Sequence, residues 1–153
     1  MTSEELNLDS VNQERITSKG IDIWIERTKQ PTKLTTAAKT EVIPYASMTP
    51  PNMLKPDGET LKLLVGDGVS VELSKRRSTM TFWHRNMDYD EVIICVKGGA
   101  KWSTEGGEFQ LKAGEMLFIP RGVSHSASSD KDSEYMAIEI KSKIPLTYSK
   151  PQQ

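Results

Sequence analysis

From Leu61 onward, apolar and polar residues come in short runs: LKLLV, VSVEL, TMTFWH, EVIICVK, AKWST, EFQL, EMLFIP, VSHSA and EYMAIEI. Turn-forming residues separate them: Gly66-Asp67-Gly68, SKRRS, Gly98-Gly99, Glu105-Gly106-Gly107, Lys112-Ala113-Gly114 and the stretch from Ser128 to Asp132. Gly-Asp-Gly between two apolar runs is a hairpin signal. Short strands with turn chemistry every ~8–12 residues predict an all-β sandwich or barrel. No helix of ordinary length is written in this half. Upstream, Ile21, Ile23 and Ile25 alternate with Asp22, Trp24 and Glu26, which predicts a strand with one buried face. Residues 43–58 are proline-rich and without period, and are expected to wrap the domain surface. Residues 1–18 carry charges and amides and read as a flexible arm or one short helical turn. The pattern therefore divides the chain into an arm (1–18), a strand and wrap packing on the barrel (19–58), a barrel (59–145) and a tail (146–153).

The chain has only two histidines, and each belongs to a spaced block. The first is HRNMDYDEVIICVKG, with His84, Asn86, Glu91 and Gly98; the second is GEMLFIPRGVSH, with Gly114, Pro120, Gly122 and His125. These resemble the two cupin motifs, H-x-H-x4-E-x6-G and G-x5-P-x-G-x2-H. The second block agrees at every fixed position, and the first has Asn86 where the family has its second histidine. The resemblance covers residues 80–127 and extends through neighbouring strands to about 60–142. It implies a single double-stranded β-helix jelly roll with a divalent transition metal (Fe, Mn, Ni or Zn) held by His84, Glu91 and His125. FWHRNMDYDEVIICVKG, the later AGEMLFIPRG and the upstream PDGETLKLLVGDG are similar to the homogentisate dioxygenase type of cupin. Those enzymes are two-barrel proteins whose iron lies in the other barrel, so this likeness implies fold and ancestry rather than ring cleavage.

Strand alternation agrees with the resemblance. Met80, Phe82 and His84 share one face, as do Glu91, Ile93 and Cys95, and then Val123, His125 and Ala127. If these faces line a closed barrel, a carboxylate and two imidazoles meet in an apolar interior. A lone buried carboxylate costs several kcal/mol or takes up a proton, and a divalent ion relieves that cost. The alternative is a decayed site in which Glu91 is hydrogen-bonded or paired with an arginine. Asn86 is a weak ligand that could bind or orient a metal-bound water. Met80, Phe82, Ile93, Cys95 and Arg85 are expected to line the pocket, with Cys95 a buried structural thiol. Lys75, Arg76 and Arg77 read as a solvated hairpin tip.

Composition narrows the function. With 153 residues and a net charge of -1, nothing points to nucleic acid or an anionic membrane. No apolar run approaches the ~20 residues of a membrane span. The acidic start MTSEELNLDS and a single cysteine suggest a cytoplasmic protein. Val92, Ile94 and Val96 make the second face of their strand apolar as well, so a second subunit, neighbours from the second sheet or the residue 20–58 arm must cover it. The resemblance to cupins, which commonly pair, implies a homodimer. The favoured expectation is metal-dependent, O2-dependent oxidation of a small, possibly aromatic or phenolic, molecule. A metal-dependent isomerase, lyase or hydrolase and a non-catalytic ligand-binding barrel are the alternatives.

Overall fold

The computed structural model describes residues 13–34, 39–130 and 134–151. Residues 1–12, which hold most of the expected arm, lie outside the described residues. Internal contacts divide the chain into two compact units, Met1–Val42 and Ile43–Gln153. The proline-rich segment therefore belongs with the barrel, and the isoleucine strand does not share its unit.

In the first unit, β1 (Gln13–Ser18) and β2 (Ile21–Glu26) form an antiparallel hairpin with Ser18 opposite Ile21. Lys19 and Gly20 turn it with φ of 50° and 80°, the left-handed pair that follows strand twist. Gln13–Ser18 is thus a strand rather than the end of a loose arm. Arg15 clamps the hairpin, bonded to Asp22 at 2.6 Å and lying 5.1 Å from the Trp24 ring. Among the described residues the expected face is only partly buried: Ile21 and Ile23 are 52% and 46% exposed, and two strands by themselves provide no second layer.

The second unit holds β3 (Leu61–Gly66), β4 (Val69–Arg76), β5 (Asp90–Lys97), β6 (Gly99–Thr104), β7 (Gly107–Lys112), β8 (Met116–Ile119), β9 (His125–Ser129) and β10 (Tyr135–Ser142). One antiparallel sheet runs β3-β4-β10-β5-β8 and the other β7-β6-β9. Gly68, at φ 83°, makes the predicted turn between β3 and β4. Ile93, Cys95, Tyr135, Ala137 and Ile119 from the first sheet share one core with Ala100, Trp102, Leu111 and Ala127 from the second. This is the expected jelly roll. Among the described residues no helix is long and apolar enough to cross a membrane.

Two expectations about strand ends are corrected. TMTFWH is no regular strand; it touches β9 through isolated bridges at Thr79–Ser128 and His84–His125. SKRRS is no solvated tip, because β10 carries the ladder on to Met136–Lys75 and Tyr135–Arg76. Arg76 is buried and donates to the Pro56 carbonyl, while Lys75 Nζ donates to the carbonyls of Ala46 and Met48.

The proline-rich segment closes an edge. The β3–β4 ladder ends at Leu61–Leu73, so beyond it β4 lacks a neighbour on that side. The short helix α1 (Pro51–Leu54) supplies one through Asn52, which is wholly buried. Asn52 Nδ2 donates to Ser74 Oγ at 2.7 Å, and its Oδ1 accepts from the Lys75 N–H at 3.1 Å. Its own N–H donates to the Glu59 carbonyl. Gly58 permits this approach, since a Cβ there would lie 2.4 Å from the Pro51 oxygen. Asn52→Ala would leave the Lys75 N–H buried and unpaired, and should cost about 2 kcal/mol. Urea denaturation checks this; an unchanged midpoint would mean that the strap adds no stability.

Candidate functional site

His84 and His125 face each other as a hydrogen-bonded antiparallel pair: His84 N–H donates to the His125 carbonyl at 3.1 Å, and the reverse bond is 2.8 Å. Residues directly opposite in such a pair project to the same face. The two rings accordingly lie with centroids 4.4 Å apart, and Trp102 sits 5.9 Å from the His125 ring. Both histidines line a cavity of about 490 Å³ at one end of the barrel. Met80, Phe82, Tyr89 and Trp102 give it apolar wall; Glu72, Arg76 and Lys141 give it charge. A second cavity of about 570 Å³, bounded by Met53, Val96 and Met136, contains neither histidine. The candidate site residues are in the first.

The histidines differ in surroundings. The His125 Nδ1 contacts the Val123 carbonyl at 2.9 Å, which makes that nitrogen the donor, and Nε2 lies 3.0 Å from Glu91 Oε2. Burial works to lower the His125 pKa, but contact with Glu91, the Val123 carbonyl and the charge of Glu91 raise it above the usual value. His84 shifts the other way, lowered by burial and by the charge of His125, with Lys141 and Arg76 adding to the effect. Its Nδ1 is buried with no hydrogen-bond partner.

The expected site residues separate into groups. His84, Glu91 and His125 come together, with Glu91 only 4% exposed. Met80, Phe82 and Asn86 line the cavity. Asn86 Oδ1, the atom that could serve as a ligand, accepts the N–H groups of Asp88 and Tyr89 and thereby shapes the turn. Three expected lining residues do not line it. Ile93 and Cys95 are in the sealed core behind it, where burial raises the Cys95 thiol pKa. Arg85 is turned outward to the Gly122 carbonyl and Glu105, on the face opposite His84.

Four residues missed in the sequence stand beside the expected ones: Glu72 and Arg76 on β4, Glu139 and Lys141 on β10. Glu72 is buried, accepts from Thr60 and Ser70, and receives the Lys141 ammonium at 3.0 Å. Lys141 Nζ lies 3.9 Å from Glu91 Oε1. The signal was alternation: Ser70, Glu72, Ser74 and Arg76 are every second residue of β4, as Glu139 and Lys141 are on β10.

The donors can be tested against a divalent ion. Glu91 Oε2 and His125 Nε2 are at the separation of adjacent ligands about 2.1 Å from a shared ion, which is about 3.0 Å. Yet among the described residues no three His, Cys, Asp or Glu side chains converge to hold an ion. Glu91 also already has the His125 imidazole 3.0 Å from one oxygen and the Lys141 ammonium 3.9 Å from the other. The expected ion does not fit this interior as built.

Comparison with known proteins agrees with the fold. Residues 69–141 match the family model described as Cupin domain. A Saccharolobus solfataricus protein with a provisional dioxygenase name is 30% identical over 92 residues, 59% of this chain and 24% of that protein. The chain thus spans about a quarter of that relative's length. A Thermus thermophilus structure superposes with TM-score 0.58 at 14% identity, covering 67% of this chain and 97% of that one. A cupin protein from Bacteroides fragilis gives 0.54 at 17% identity over 77% and 93%.

Glu139 provides a test of the interior. Burial, and then the charge of Glu91, push its pKa up from 4.5 to about 7. A carboxyl whose folded pKa is raised contributes stability that is complete below the unfolded value and lost as pH rises through the folded one. Glu139→Gln removes that loss. Between about pH 5 and pH 8 the variant should gain on the order of 2–3 kcal/mol relative to wild type. Thermal melts at both pH values measure this, and a difference independent of pH would refute it.

Proposed function

We propose that this cupin barrel binds a small, ring-bearing polar molecule in the 490 Å³ cavity and removes a proton from it, with His84 as base. The carrying observation is the cross-strand histidine pair, whose environments push two adjacent imidazoles in opposite directions. Pairs separated in this way divide into acid and base roles. His84 is held neutral and can accept a proton. His125, held towards its charged form by Glu91, and the nearby Lys141 put positive charge beside the anion that forms. Phe82, Tyr89 and Trp102 offer flat walls to a ring, and the volume suits a small ligand. The chemistry is that of isomerases and lyases that deprotonate a carbon next to a carbonyl.

The provisional dioxygenase name of the Saccharolobus relative favours a second reading, oxidation by O2 at a transition metal. That reading requires His84, Glu91 and His125 to move onto one ion.

One set of measurements separates the two. Protein prepared without added metal is screened for thermal stabilisation by small aromatic acids, phenols and keto acids, and ligand C–H exchange is followed by NMR in D2O. His84→Ala should leave ligand affinity within a few-fold and slow exchange by about a hundredfold or more. Phe82→Ala should weaken binding about tenfold. Chelator should leave the wild-type melting temperature unchanged. Stoichiometric iron or manganese together with O2 uptake would replace the first reading with the second, and exchange that does not need His84 would end the first outright.

A further inference from the structure

Lys141 lies on the inward face of β10, opposite Glu91 on β5 and Ser70 on β4. Its ammonium donates to Glu72 Oε1 at 3.0 Å and lies 3.9 Å from Glu91 Oε1. Both carboxylates are almost fully buried, with side chains 3% and 5% exposed, while that of Lys141 is 25% exposed towards the cavity it lines. Glu91 Oε2 has no aligned hydrogen bond despite the nearby imidazole. Two carboxylates taken out of water require positive charge within a few ångströms. In this barrel that charge is covalently attached to the chain.

We propose that Lys141 is a built-in substitute for a metal ion, and that its ammonium blocks a latent divalent-cation site based on Glu72 and Glu91 with His125 beside them. The substitution is electrostatic: an ammonium and a divalent ion at the same carboxylates repel each other, so one excludes the other. It is also geometric. A lysine stem can place only a donor of N–H bonds there, whereas an ion would draw Glu91 and the imidazole nitrogen of His125 onto a common centre. Arg76 is a second internal cation on the same face of β4, buried and donating only to the Pro56 carbonyl among the hydrogen bonds described for it.

The experiment is a titration of Co2+ into chelator-stripped protein, followed by visible absorption and by calorimetry. Wild type, Lys141→Met and Lys141→Met/Glu91→Gln are compared, with the fold of each checked by circular dichroism. Methionine keeps the unbranched stem and removes the charge. Wild type should take up no stoichiometric Co2+ at submillimolar concentration. Lys141→Met should bind one equivalent at least about a hundredfold more tightly, and Glu91→Gln should abolish that gain. If Lys141→Met does not fold, Lys141→Gln serves in its place. Tight stoichiometric binding by wild type overturns the proposal, and so does a folded, uncharged variant that takes up no Co2+. The second outcome leaves the proton-transfer reading untouched, and a failed ligand screen leaves this proposal untouched.

Discussion

Three glutamates, Glu72, Glu91 and Glu139, share the inside of one small barrel, and their charge has to be neutralised there. Water cannot do it, since all three are nearly sealed from solvent. The remedies are visible residue by residue: Lys141 serves Glu72 and approaches Glu91, His125 contacts Glu91, and Glu139 is drawn towards its protonated form. Much else follows from this. The pKa of His84 falls in part because the positive charge gathered for the carboxylates faces it. The cavity beside these groups accordingly sets the charges of Glu72, Arg76 and Lys141 beside the apolar side chains of Met80, Phe82 and Trp102.

The barrel was legible because β-structure is written in short range. Gly66-Asp67-Gly68 and the alternating runs of β5 and β10 specify turns and faces within a few residues. His84, Glu91 and His125 were legible from spacing, and the structure brings them together through one cross-strand pair and a strand of the other sheet. Glu72, Glu139 and Lys141 were not. On β4 and β10 the apolar residues Val71, Leu73, Ile138 and Ile140 occupy the face opposite the cavity. A period of two gives the faces of a strand but not which of them lines the cavity, and here the charged face does so while Leu73 on the apolar face is itself wholly buried. The same ambiguity misplaced Arg76, whose strand continues only because β10 pairs that far.

The isoleucine strand shows another limit. Its alternation predicted a buried face, yet a face is buried only where a second layer meets it, and among the described residues of its unit the hairpin of β1 and β2 has none. Its partner strand went unread because QERITS is polar enough to pass for an arm, and the turn at Lys19-Gly20 is too short to announce two strands. Asn52 is the converse case. Nothing about an asparagine in a proline-rich run marks it as structural, and it is needed only because β3 stops before β4 has finished presenting its edge.

The wall that carries Met80, Phe82 and His84 is attached to β9 through two isolated bridges rather than a continuous ladder. Between those two points the Met80 N–H still donates to the Ala127 carbonyl of β9, while the Thr81 N–H turns away to the Asp57 carboxylate. Side chains can therefore change there, and residues can be gained or lost, without disturbing the pairings on which the barrel's stability rests. Glu72, Glu91 and Lys141, by contrast, are fixed on fully laddered strands. Over evolutionary time such an arrangement lets the side chains ahead of His84 vary while the buried charges of Glu72, Glu91 and Lys141 stay where they are. Related barrels should accordingly differ more at residues 80–83 than at His84 or on the laddered strands.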